Sequence, residues 1–145
     1  MARQTRKTCV FCQRADQKIS KEHLWPNWIL ECLPPHEKLA IEMYRRVKDA
    51  KRWMPKDNTG IEVNDICVSC NSEWMNRLEE AVRPFLCSMI SGKSNVVLDE
   101  HKATSLTAWI YKIMLLFDLS GPAEYRRFRR AHYQSFYKEH RVARL

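Results

Sequence analysis

The stretch CVSCNSEWMNRLE, residues 67–79, joins a Cys-x-x-Cys pair to the start of a helical pattern. A second pair, CVFC at 9–12, lies far upstream, with residues 13–66 between the two. Each two-residue spacer lets one tight turn present two sulfurs, and zinc takes four thiolates tetrahedrally in a closed structural site. Cys9, Cys12, Cys67 and Cys70 therefore read as a structural zinc site, with unligated thiols or a redox pair as the alternatives. Four thiolates leave no open position, so this zinc would tie segments together rather than catalyse. It would also bring the residues behind each pair near one another: Glu22 and His23 on one side, Asn71 on the other. Cys32 and Cys87 lack such spacing and read as buried small apolar side chains.

The 145 residues fit one domain, and 45% hydrophobic content allows a modest core. No run of about 18 uncharged apolar residues exists, so no membrane span is expected. The most apolar stretch, LTAWIYKIMLLFDL, is interrupted by Lys112. The N-terminal MARQTRKT lacks the apolar run of a secretory signal. A cytoplasmic location is expected, where reduced cysteine pairs more often bind metal than form disulfides. The net charge of +8 suits a polyanionic partner such as nucleic acid.

Along the chain, residues 1–8 read as a basic arm and 9–12 as a metal knuckle. Lys18 to His23 reads as a short strand. Pro26 fits the first turn of a helix, PNWILECL, ended by Pro34-Pro35. AIEMYRRV and IEVNDI, joined through the turn signal DNTG, predict a hairpin over roughly 40–66. After Cys70, Trp74, Leu78, Ala81, Val82, Phe85, Leu86, Met89 and Ile90 recur at helical spacing up to Gly92. Asp99 is placed to cap the next helix, whose expected apolar face is Leu106, Trp109, Ile110, Ile113, Met114, Leu116 and Phe117. SGP at 120–122 breaks the chain, and a last helix is expected over about 122–139.

Glu22, His23 and Asn71 are the residue types that phosphodiester hydrolysis needs. Neutral His removes a proton from water near pH 7. A hard divalent cation stabilises charge on the phosphate, and magnesium is satisfied by a carboxylate and an amide oxygen with several waters. Each residue also has a plainer reading. A Glu-His pair is common, and Asn after a knuckle often caps the helix that begins there. Neighbouring strand residues point to opposite faces, so Glu22 and His23 need a twist or a strand end to serve one site. Glu79 lies roughly 12 Å beyond Asn71 along a helix, too far to share one ion, and has Arg83 at i+4 as a partner. Trp25 and Trp28 read as core.

CVFC (9–12), KEHLWP (21–26) and CVSCNSEWMNRLE (67–79) together resemble the zinc-bearing branch of the HNH, or His-Me finger, nucleases. The arrangement is most similar to the recombination endonuclease VII group, where Asn directly follows the last cysteine. It also resembles a set of bacterial and phage proteins, many of them longer, through AVRPFL and TAWIYK, so the likeness covers roughly residues 9–117. The resemblance implies an α+β fold: a zinc-stabilised ββα-metal finger followed by a mainly helical C-terminal extension. It implies one domain, 1–145, with a core over 9–91 and a basic extension over 92–145. His23 would be the general base. Glu22, in place of the usual Asp, and Asn71 would hold a catalytic magnesium or manganese ion, with Glu73 near enough to contribute. The products would carry 5′-phosphate and 3′-hydroxyl ends. The chain departs from the pattern at Trp74 and Met75, where many members carry a third catalytic-site His or Asn.

Near the C-terminus, Tyr125, Phe128, His132 and Phe136 recur at helical spacing and are expected to pack on the preceding helix. Arg126, Arg127, Arg129, Arg130, Lys138, Arg141 and Arg144 cover the other faces, as a solvated surface or as one that tracks phosphates, with DNA the favoured partner. The leading reading is a metal-dependent endonuclease. Against it stands a catalytically inactive zinc-bound module that binds DNA or a protein, and, further off, a protein adaptor with no nucleic-acid role.

Overall fold

A computed structural model describes residues 7–33, 61–92 and 95–139. The fold is α+β: a small two-stranded sheet and several helices around a cysteine cluster. Strand β1 (Ile19–His23) leads into helix α1 (Asn27–Cys32), entered through Pro26. Strand β2 (Glu62–Cys67) runs antiparallel to β1 and passes into one continuous helical segment. That segment is α2 (Val68–Cys70), a π-helical turn (Asn71–Met75) and α3 (Asn76–Ile90). Gly92 follows at φ +65°, the left-handed conformation that stops a helix. Helix α4 (Glu100–Ser120) begins where Asp99 accepts from the Lys102 N–H at 2.8 Å, the expected cap. A 3₁₀ turn (Ala123–Tyr125) and α5 (Arg130–Glu139) complete the described chain. Among the described residues no helix is long and apolar enough to cross a membrane.

Among the described residues β2 pairs with β1, and the AIEMYRRV half of the expected hairpin lies outside them. Other expectations are corrected. The last helix starts at Arg130, because a 3₁₀ turn and an extended stretch separate it from Pro122. Its inward residues are Tyr133 and Phe136, whereas Tyr125 and His132 are exposed. Helix α4 turns a different face to the core: Ala108, Trp109, Lys112, Leu115, Leu116 and Leu119 are buried, and Ile110, Met114 and Phe117 are about half exposed. Cys32 and Cys87 are not separate apolar residues; they form a disulfide that staples α1 to α3.

Two packed groups hold the site. One surrounds the cysteines: the Trp74 ring meets Phe11 at 5.3 Å and Phe136 at 5.5 Å, both edge-on, which locks α5 against the knuckle. The other joins α1, α3 and α4 through Trp28, Ile29, Val82, Phe85 and Trp109. The first fixes the cysteines, and the second fixes the helices that wall the cleft described below.

Candidate metal centre and adjoining cleft

The four cysteines at 9, 12, 67 and 70 converge, with all four sulfurs within 4.8 Å of one another. Cys9 and Cys70 sulfurs lie 3.8 Å apart, and those of Cys12 and Cys67 lie 3.6 Å apart. A tetrahedron with zinc–sulfur bonds of about 2.3 Å has edges of about 3.8 Å. These two separations match that edge, and the four sulfurs together are close enough to hold a metal such as zinc. The backbone supports this. The Val10 N–H donates to the Asp65 carbonyl at 2.9 Å, docking the first knuckle on β2, and the Cys67 N–H donates to the Cys9 sulfur at 3.3 Å. Gln13 closes the first knuckle at φ +62°.

The hydrogen bond from Cys70, helped by backbone donors, holds the Cys9 thiol down to about 4. Burial pushes Cys67 up to about 11, and the pairing with Cys9 raises Cys70. A bound metal displaces the remaining thiol protons, so its affinity falls as pH drops.

Beside this centre lies a cleft lined by Glu22, His23, Asn71, Asn76, Glu79 and Lys112, among others. Adjacent Glu22 and His23 both line it, and the sheet beside them is irregular. Ser20 pairs with Ile66, but Glu22 pairs with Val63, so Asn64 and Asp65 together oppose Lys21. This bulge increases the local twist. His23 is also the last strand residue, so the pleat does not hold its side chain on the far face.

Glu22 is buried, and its Oε1 accepts from Lys112 Nζ at 3.0 Å. Burial raises the Glu22 pKa, while the Lys112 charge and hydrogen bond oppose the rise. His23 is partly exposed, and its Nε2 lies 3.7 Å from Glu62 Oε1 on the paired strand. Asn71 does not N-cap the helical segment, a position that Cys67 holds. It sits inside the continuous helical segment, and its Nδ2 donates across to Ser20 Oγ on β1 at 3.3 Å. That bond aligns the carboxamide against the strand that bears Glu22 and His23.

Glu79 also lines the cleft. A π turn carries an extra residue per hydrogen-bonded turn, which rotates α3 relative to Asn71. Glu79 then lines the same cleft as Asn71. It also accepts from Lys112 and, at 3.3 Å, from the Trp28 indole N–H. Arg83, its expected partner, instead pairs with Glu31 at 2.8 Å. Glu73 is exposed and does not line the cleft.

Lys112 was not singled out from sequence, though a signal existed. It occupies the period of the buried α4 row between Trp109 and Leu116, and a lysine in such a row requires a carboxylate partner. Of the basic residues, Arg127, Arg129, Arg130 and Lys138 are exposed. Arg126 is engaged by the Leu119 carbonyl at 3.1 Å, and Arg141 lies outside the described residues. Compared with protein-family models, curated proteins and solved structures, the chain matches none.

Proposed function

We propose that this chain is a metal-dependent endonuclease of the HNH, or His-Me finger, type, with a structural zinc at Cys9, Cys12, Cys67 and Cys70. The observation that carries the reading is the shared cleft: Glu22, His23 and Asn71, from two segments distant in sequence, line one depression beside the four-cysteine cluster. The order of β1, β2 and the helical segment after Cys67 is consistent with a ββα finger.

In this reading His23 takes a proton from the attacking water. Glu62 Oε1, on the paired strand, lies 3.7 Å from His23 Nε2. Glu22 and Asn71 offer hard oxygen donors, which fit magnesium or manganese. That ion, when bound, supplies Lewis acidity toward the phosphate and the leaving oxygen. Exposed Arg127, Arg129, Arg130 and Lys138 would track the phosphate backbone, giving DNA affinity with little base readout.

The test is supercoiled plasmid incubated with magnesium and either wild type or His23→Ala. Wild type should nick or linearise the DNA, and the variant should not. Equal cutting by both would remove His23 from its role. A second reading, a DNA-binding module without catalysis, is favoured by one observation: Lys112 already engages the Glu22 carboxylate. Salt-sensitive DNA binding with no cleavage under magnesium or manganese would establish it.

A further inference from the structure

We infer that the Lys112 ammonium is a tethered cation that fills, between Glu22 and Glu79, the place a second divalent ion would otherwise take. It sits on the buried row of α4 with no solvent exposure. A lone ammonium there would be strongly disfavoured, and lysines are almost never fully buried unless paired. Its Nζ meets Glu22 Oε1 at 3.0 Å and Glu79 Oε1 in direct contact. These carboxylates come from different elements, β1 and α3. Trp28 aligns Glu79 from a third, donating to Oε2 at 3.3 Å and leaving Oε1 aimed at the lysine. The site is thus assembled around one cation from several directions.

The arrangement parallels a pair of carboxylates bridging a metal. Two glutamates and one lysine leave the cleft with a single net negative charge. One divalent ion then reverses that sign, and a second would be opposed by the ammonium. Sites that act through two metals hold them about 3.5–4 Å apart, bridged by carboxylates. Here the chain supplies one of those positive charges covalently. The cleft therefore keeps a fixed positive charge whatever the metal concentration, and it accepts one exchangeable ion fewer than its carboxylates alone would attract. Replacing an ammonium by a metal requires the oxygens to close by less than about 1 Å each, since metal–oxygen bonds are about 2.1 Å and ammonium–carboxylate contacts about 2.8 Å. Glutamate side chains can make that movement.

The inference rests on the proposed nuclease reading only for the first ion, and metal counting separates the two. Zinc-loaded full-length protein is titrated with manganese(II), and free ion is followed by its electron paramagnetic resonance. Lys112→Met should bind one more manganese per chain than wild type, and Lys112→Met/Glu79→Gln should return to the wild-type number. Equal numbers for wild type and Lys112→Met overturn the inference. A wild type that binds none, beside a Lys112→Met that binds one, removes the proposed Glu22–Asn71 ion but upholds the role of Lys112. Because the variant loses a buried partner, its melting temperature is also taken with and without manganese. Manganese should raise it by more than in wild type, through mass action on the folded state. A variant that manganese neither folds nor stabilises overturns the inference.

Discussion

Lys112→Met removes the ammonium while keeping an apolar side chain on the buried row of α4. Lys112 is fully buried and contacts both Glu22 and Glu79, so the change leaves two buried carboxylates facing each other without a cation. Removing one partner of a buried ion pair costs about 3–5 kcal/mol, against about 5–15 kcal/mol for the stability of a typical domain. The variant should therefore lose from about a fifth of its stability at neutral pH to all of it. The pH dependence has a definite sign. Burial already raises the Glu22 pKa above its ordinary value, and Lys112 opposes that rise. Without Lys112 the folded pKa climbs further, while the unfolded value stays at about 4.3. A carboxyl whose folded pKa exceeds its unfolded pKa holds its proton in the native state. Stability then falls as pH rises between the two values, by up to about 1.4 kcal/mol per unit for each group. The deficit of the variant should be largest at about pH 7.5 and shrink toward about pH 5. Urea unfolding of zinc-loaded wild type and variant, followed by tryptophan fluorescence at both pH values, measures it. Both proteins carry the same four thiols, so the pH dependence of the zinc site cancels in the difference. Adding Glu22→Leu and Glu79→Leu to Lys112→Met should restore most of the loss, as apolar replacement of buried ion networks generally does. A neutral-pH deficit under about 1 kcal/mol, or one unchanged by pH, would refute the buried-triad reasoning.

Elemental analysis of protein purified without chelator should give one zinc per chain, and Cys70→Ser or strong chelation should unfold the protein. Structural zinc contributes about 10–16 kcal/mol, which matches or exceeds a domain's whole stability, so cooperative unfolding that survives metal removal would count against the four-thiolate site. Cys87→Ser opens the disulfide to Cys32 at a sequence separation of 55, and in non-reducing buffer it should lower stability by about 4 kcal/mol in the chain-entropy account. Identical urea midpoints would mean that the bond contributes nothing.

Local signals in the sequence carried far. Cys-x-x-Cys spacing constrains a single turn, so both knuckles were legible, and the four sulfurs meet at metal-binding distances. Asp99 capped as read, and Pro26 opened a helix. Glu22, His23 and Asn71 were legible as neighbours because the cysteine pairs fix which segments adjoin. Where two faces of an element were equally apolar, periodicity had nothing to choose with. Helix α4 carries large apolar residues on most sides, and the face that packs includes Lys112 in place of Ile110, Met114 and Phe117.

The sequence by itself determined the two cysteine pairs and the residues directly behind them, since each depends on spacing over a few residues. Tertiary structure alone decided how the cleft is wired. Adjacent Glu22 and His23, at the end of β1, both line one cleft. A π turn rotates Glu79 into line with Asn71. A buried lysine from α4 then closes the set. The reason is physical. A buried charge is stable only where opposite charges from other elements converge on it, and that convergence is a property of the packed chain rather than of any one segment.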